Sequence, residues 1–331
     1  MRARRVIGYG VLGTAMVGLA GFVGISMAGS RIRRRHDDVL DTPLDPPEDV
    51  THRSIPTHDG GELHLIDTGE GRPVLLFHGV TLQWWVWSST IRLLRDRYRV
   101  IAWDMRGHGR SVAGTEGVSL GAAAVDVQTV LETLDLRDAI IVGHSMGGMV
   151  QGRFAVDRPV VLSERVGGML FLATSAASLS VKGVAGGLAA LSTVLERGGR
   201  ALIKRPQLAY SWGDTDLSTV LVRLAFGRRA TARMVDDVRR MLAEVTPRTL
   251  GEAGTTIAEH DLRSSLGPLP VPAMVVVGDE DRLTPPAHAR VLARLVSNAE
   301  LVELRGIGHQ VMQEAPVELV GLIDQLAVAG D

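Results

Sequence analysis

The chain has 331 residues, 45% of them apolar, which is enough for one large globular domain or one domain carrying an insertion. A net charge of -1 leaves no excess of basic residues for nucleic acid, and the lack of cysteine excludes a disulfide framework and a thiolate metal site. Aromatic residues make up only 4%, so the clustering of Trp84, Trp85 and Trp87 marks one local surface.

Arg2, Arg4 and Arg5 precede a stretch without charge from Val6 to Ser30, and Arg31, Arg33, Arg34 and Arg35 follow it. As a helix rising about 1.5 Å per residue, that stretch is long enough to cross a hydrocarbon core of about 30 Å. Residues 1–35 therefore read as an uncleaved, single-pass, transmembrane-like anchor. A cleaved export signal is the competing reading, because Ser26-Met27-Ala28 offers small residues at a cleavage position and Arg4-Arg5 hints at a twin-arginine signal. Against it stand the length of the apolar run and the basic cluster that follows. A buried or peripheral helix is a third possibility. Arginines flank both ends, so the positive-inside bias nearly cancels and the membrane side stays open. Residues 36–51 shift to Asp and Pro and read as a linker.

From His52 the pattern changes. Alternation over Glu62–Asp67 predicts a strand, and the apolar runs Pro73–Phe77, Arg99–Trp103, Ala139–Val142, Met169–Leu172, Ala273–Val277 and Ala299–Leu304 predict six more. Helical spacing covers Leu120–Leu134, Met149–Val156, Pro286–Val296 and Pro316–Val328. Apolar runs alternating with helices imply a mostly parallel sheet covered on both faces, with ligands at the carboxyl ends of its strands. Between the strands, residues 175–250 break the rhythm. An Ala/Gly/Ser/Leu-rich run leads to Arg197, Arg200, Lys204 and Arg205, then to amphipathic helices over Leu217–Ala225 and Thr231–Val245. The basic residues fit an ordinary solvated face or the outer side of a lid.

The segment Gly143-His144-Ser145-Met146-Gly147-Gly148 joins an apolar strand to a helix. Such a corner forces strained backbone on its apex, and flanking glycines remove the side chains that would collide there. Ser145 would project its hydroxyl at a helix N-terminus, where N–H groups favour negative charge. His78-Gly79, Asp104, Asp281 and His309 fall at other strand ends. No group has metal-ligand spacing and no glycine-rich phosphate loop occurs, so neither metal nor cofactor is expected.

Taken in order, His78-Gly79, Asp104-Met105-Arg106-Gly107-His108-Gly109-Arg110-Ser111, Gly143-His144-Ser145-Met146-Gly147-Gly148, Gly278-Asp279-Glu280-Asp281-Arg282-Leu283-Thr284-Pro285 and Gly306-Ile307-Gly308-His309 resemble the α/β-hydrolase family from about residue 52 onward. The resemblance implies an α/β-hydrolase core over 52–174 and 251–331, and a helical cap over 175–250. It implies Ser145 as nucleophile, His309 as base and Asp281 as the acid that orients it, with Asp279 and Glu280 as rivals. The backbone N–H groups of Val80 and Met146 would form the oxyanion hole. His78, Gly79, Trp84, Trp85 and His144 would border the substrate. For the two tryptophans, packing of the following helix is the competing reading; for His78 and His144 it is bracing of the turns. Asp126 reads as a packing or solvent-side residue. The expected activity is hydrolysis of an apolar carboxylic ester through an acyl-enzyme on a membrane-tethered protein. Alternatives are a cofactor-free haloperoxidase or perhydrolase reaction, carbon–carbon bond hydrolysis, an epoxide hydrolase with Asp104 as the available carboxylate, and a slow-turnover ligand sensor.

Overall fold

The computed structural model describes residues 27–32, 45–178 and 216–329. Eight strands form one sheet: β1 (Thr51–Pro56), β2 (Glu62–Thr68), β3 (Pro73–Phe77), β4 (Arg99–Trp103), β5 (Ala139–His144), β6 (Val166–Leu172), β7 (Ala273–Gly278) and β8 (Ala299–Leu304). Their order across the sheet is β1-β2-β4-β3-β5-β6-β7-β8. β1 and β2 run antiparallel, as do β2 and β4, and every other pairing is parallel.

Between the strands lie α1 (Ser88–Leu94), α2 (Leu120–Thr133), α3 (Met146–Asp157), α4 (Pro159–Arg165), α5 (Asp216–Arg223), α6 (Ala232–Glu244), α7 (Pro247–Glu259) and α8 (Pro286–Leu295), and after β8 come α9 (Val311–Glu314) and α10 (Pro316–Ala329). Side chains alternate across a strand, and the sheet accordingly builds two cores. Leu75, Phe77, Ile101 and Ile141 join Val127 and Leu131 of α2, Phe154 of α3 and Leu292 of α8 on one face. Val74, Leu76, Ile140 and Val142 join Ile91 of α1, Val235 of α6 and Ile323 of α10 on the other. Both faces of β5 and β7 are covered, which is why their sequences are continuous apolar runs; edge strand β8 is largely exposed and carries Glu300 and Glu303.

Helix starts follow local chemistry. The hydroxyls of Ser119, Thr231 and Thr246 accept from the N–H groups of Ala122, Met234 and Thr249, closing α2, α6 and α7 at their N-termini. Two elements depart from the sequence reading. β1 occupies Thr51–Pro56, where the sequence reading passed from linker into domain without a strand; four of its six residues at the sheet edge are exposed before Ile55, so it lacks an apolar signature. The boundary placed at residue 250 falls inside α7. This helix is fastened to the loop before α2: Thr249 donates to the Gly107 carbonyl (2.9 Å), Glu252 accepts from the Val118 N–H (2.8 Å) and Thr256 from the Leu120 N–H (3.1 Å). Two of the three contacts use Thr side chains against backbone, which carry no periodicity.

Among the described residues no helix is long and apolar enough to cross a membrane. The uncharged stretch from Val6 lies outside the described residues except for its last four, which belong to the helical segment 27–32. The linker's first part and the insertion between 179 and 215 also lie outside them. The last linker residues are anchored: Asp45 pairs with Arg233 of α6 (2.5 Å) and Asp49 with Arg95 (2.6 Å).

Asp126 is neither solvent-facing nor a simple packing residue. Arg106, 1% exposed, reaches both of its oxygens at 2.8 Å and contacts Asp59 at 3.0 Å. A buried guanidinium is tolerable only with such partners. We expect Asp126→Ala to lower unfolding stability by about 3–5 kcal/mol, read from urea denaturation, because Arg106 stays buried with half its partners removed. A loss under about 1 kcal/mol would show that Asp59 alone balances it.

Candidate active site

Ser145 stands between β5 and α3 with φ 52° and ψ -116°. For a residue with a side chain this conformation costs on the order of 1–3 kcal/mol and persists only where surroundings enforce it. The enforcement is visible. The Ser145 N–H donates to the Leu172 carbonyl of β6 (2.9 Å), and the Ser145 carbonyl accepts from the Thr174 hydroxyl (2.7 Å) and from the N–H groups of Gly148 and Met149. A Cβ on Gly147 would lie 2.6 Å from the Phe77 carbonyl oxygen, so the helix starts against β3 only without a side chain there. Ser145 is half-buried while His144 and Met146 on either side are buried.

The loop after β3 descends onto this corner. A Cβ on Gly79 would come within 3.0 Å of the Ser145 Cβ and 2.9 Å of His144 Nδ1. Val80 follows, and Met146 opens α3, where the first N–H groups of a helix have no carbonyl before them to bond. His78 is fully buried under the loop. Its Nδ1–H donates to the Gly79 carbonyl (2.7 Å) and its Nε2 accepts from the Met105 N–H (2.9 Å), which fixes the tautomer; burial lowers its pKa and keeps the ring neutral. His144 is also fully buried. Its Nε2–H donates to the carbonyl of His309 (2.9 Å) and its ring lies 4.7 Å from that of His309. Burial first, then the neighbouring His309, takes its pKa well down. Both histidines sit buried beneath the Ser145 corner and brace the loops around it.

His309 lies in the loop after β8, 4% exposed, and its Nδ1 is 2.8 Å from Asp281 Oδ2. Asp281 follows β7. Its Oδ1 accepts from the N–H groups of Leu283 (2.7 Å) and Thr284 (2.9 Å), and its Oδ2 from the Thr284 hydroxyl (2.7 Å). With Nδ1–H directed at a carboxylate, Nε2 becomes the basic nitrogen of His309. Of the three acids in this turn, Asp281 alone contacts the ring. Asp279 accepts the Gly306 N–H (2.7 Å), and Glu280 pairs with Arg228. Thr284 was not anticipated from sequence, although a hydroxyl three residues after an aspartate is a recurrent turn signature.

The other singled-out residues are placed elsewhere in the architecture. Asp104 is fully buried and accepts from His64 Nδ1 (2.9 Å) and from the N–H groups of Trp84 (2.9 Å) and Arg110 (3.0 Å), so its oxygens are occupied with holding two loops. Trp84 sets its ring edge-on to His52, 6.0 Å away. Trp85 is half-buried against the insertion, with the Arg240 guanidinium 5.8 Å from its ring and its Nε1–H donating to Gln83 (2.9 Å), which in turn donates to Glu244 (2.6 Å). Trp87 is fully buried, edge-on to His144 at 6.4 Å. Among the described residues no group of three or more His, Asp or Glu side chains is arranged to hold a metal ion.

The geometry agrees with comparison to known proteins. A family model for the alpha/beta hydrolase fold matches residues 72–316. A non-heme chloroperoxidase of Kitasatospora aureofaciens is 31% identical over 255 residues, covering 76% of this chain and 90% of that protein. A non-heme haloperoxidase of Rhodococcus erythropolis is 28% identical over 264 residues, covering 77% and 92%. A thermophilic esterase from Thermogutta terrifontis superposes with a TM-score of 0.71 at 25% identity, covering 85% of this chain and 99% of that one. The strained serine between β5 and α3, the sheet order and these similarities together place the chain in the α/β-hydrolase family, as an enzyme.

Proposed function

We propose that the protein is a serine hydrolase that cleaves carboxylic esters of apolar substrates through an acyl-enzyme on Ser145. The observation that carries this reading is the convergence of a strained serine, a loop glycine packed so closely on it that an added Cβ would lie 3.0 Å from the Ser145 Cβ, and a histidine bonded to a carboxylate at 2.8 Å. In the proposed reaction His309 Nε2 takes the hydroxyl proton as Ser145 Oγ attacks the ester carbonyl. The resulting oxyanion is met by the N–H groups of Val80 and Met146, each contributing about 3 kcal/mol. The imidazolium, stabilised by Asp281, gives its proton to the departing alkoxide. Water, deprotonated by His309, then hydrolyses the acyl-enzyme.

The haloperoxidases among the relatives favour a second reading on the same intermediate. Hydrogen peroxide in place of water at deacylation would release a peroxy acid and regenerate Ser145 without any cofactor. Support for the cap lies in α5 and α6, which occupy the interval between β6 and β7 and lean on Trp85 and the His309 loop. Membrane anchoring rests on the uncharged stretch Val6–Ser30 and its arginine flanks.

A fluorophosphonate is expected to label Ser145, and Ser145→Ala to lose both labelling and hydrolysis of p-nitrophenyl esters; an adduct on another residue would refute the assignment. Asp281→Asn should lose on the order of 10⁴-fold in kcat through the wrong tautomer. Thr284→Val should lose about tenfold, with Thr284→Ser restoring most of it, since a hydrogen bond to a charged group is worth about 1.5–3 kcal/mol. For localisation, the full chain should sediment with membranes and a variant lacking residues 1–35 should stay in the supernatant with its esterase activity; full-length protein in the supernatant argues against anchoring.

A further inference from the structure

The loop that carries His309 is held from one side by the insertion between β6 and β7. The His309 N–H donates to the Ala225 carbonyl (2.7 Å) and the Arg228 N–H to the Gly306 carbonyl (3.1 Å). The two backbones touch: a Cβ on Gly227 would lie 2.6 Å from the Gly306 oxygen and the Gly308 nitrogen, and one on Gly308 would lie 2.2 Å from the Gly227 nitrogen. Glu314, at the end of α9 and 4% exposed, spans this contact. Its Oε2 accepts from the Gly227 N–H (2.8 Å) and its Oε1 from the Gly308 N–H (2.9 Å), one residue before His309.

We infer that Glu314 is a positioning residue for His309: its carboxylate fastens the histidine loop to the insertion by accepting one backbone N–H on each oxygen, and protonating it slackens that fastening and lowers activity. The inference rests on the reading of His309 as the base. A carboxylate accepts on both oxygens, whereas a carboxylic acid turns one of them into a donor that faces another donor. The charged groups near Glu314 are few. Arg223 of α5 favours its ionised form and Asp281 opposes it. His309 shares its loop. Glu318 and Asp324 on α10 are engaged with Arg229 and Arg97, and Arg92 on α1 with the Asp45 carbonyl. Burial dominates and pushes the Glu314 pKa up to about 7, against the pull of the two N–H donors.

The sign follows. Because the folded pKa exceeds the ordinary 4.5, the folded state holds this proton more tightly, so stability from this group is full below about 4.5 and lost as pH rises to about 7. Activity moves oppositely, since the ionised clamp is the working one.

The test is the pH profile of kcat/KM for p-nitrophenyl butyrate with the full-length enzyme between about pH 5 and 8, for the unaltered protein, Glu314→Gln, Gly227→Ala and His309→Ala. In the unaltered enzyme Glu314 must lose its proton for the clamp to form, so its ionisation should steepen the acid limb. In Glu314→Gln that added steepness should vanish, with kcat/KM reduced roughly ten- to a hundred-fold at the alkaline plateau and carried mainly by kcat. Gly227→Ala, which forces the same backbones apart, should show a loss of similar size. A Glu314→Gln profile that superposes on that of the unaltered enzyme overturns the inference, as do acid limbs of equal slope in the two or a Gly227→Ala enzyme with unreduced kcat/KM. If instead His309→Ala keeps full activity, the proposed triad fails; an inactive His309→Ala beside an unaffected Glu314→Gln removes only the role of Glu314.

Discussion

The left-handed backbone of Ser145 is the constraint around which the centre of the molecule is built. A residue at φ 52° returns to ordinary geometry unless every exit is blocked. Here β6 blocks one through Leu172 and Thr174, β3 blocks another through the close approach of Gly147 to Phe77, and the Gly79 loop closes the third. Each of these neighbours is itself a buried strand or strand end. The strain at one residue is thus sustained by packing across three strands, a sink far larger than its cost of about 1–3 kcal/mol. That is also why the Ser145 corner tolerates so few side chains around it: small residues are the condition under which the three strand ends can meet.

Most of the sheet was legible because its information is carried by apolar runs. β3, β4 and β8 match the predicted ranges end to end, and β5, β6 and β7 were found within a few residues. What escaped was structure held by polar contacts. β1 is mostly exposed, and α7 is fixed by Thr249, Glu252 and Thr256 bonding to backbone. Hydrogen bonds between side chains and distant backbone leave no period in the chain. The same divide runs through the site. The residues at glycine-marked turns, Ser145, Gly79 and His309, stand out in the sequence; Thr284 is marked only by a local turn spacing, and Glu314, which bonds Gly227 and Gly308, is recognisable only once the loops are folded against each other. The clustered tryptophans meet different partners: Trp84 contacts His52 and the Asp104 turn, and Trp85 contacts Gln83 and Arg240.

Histidines illustrate how environment, rather than residue type, assigns a role. His78, His108, His144, His260 and His288 are all buried, and in each burial is the first cause of a lowered pKa. A neutral ring is a rigid spacer with one donor and one acceptor, and His78 uses both in that way. Such rings can hold loops but cannot stabilise a proton taken from a substrate.

A carboxylate partner alone does not lift a histidine out of that class. Among the described residues are two buried His–Asp contacts of nearly equal length, His309–Asp281 at 2.8 Å and His64–Asp104 at 2.9 Å. The difference lies at the far nitrogen and at the carboxylate. His64 Nε2 meets His52 Nδ1 at 2.9 Å, which closes that ring off, and Asp104 spends its remaining capacity on two backbone N–H groups from different loops. Asp281 draws its other donors from its own turn, Leu283 and Thr284, so its charge is organised locally and directed at one ring. The His309 ring rests on His144, the neighbour of Ser145, with its loop pinned by the insertion through Ala225. The same pair of side chains therefore sits in two different settings: at His64 the second imidazole nitrogen is consumed by the fold, and at His309 it is the nitrogen that the proposed reaction uses to take the Ser145 proton.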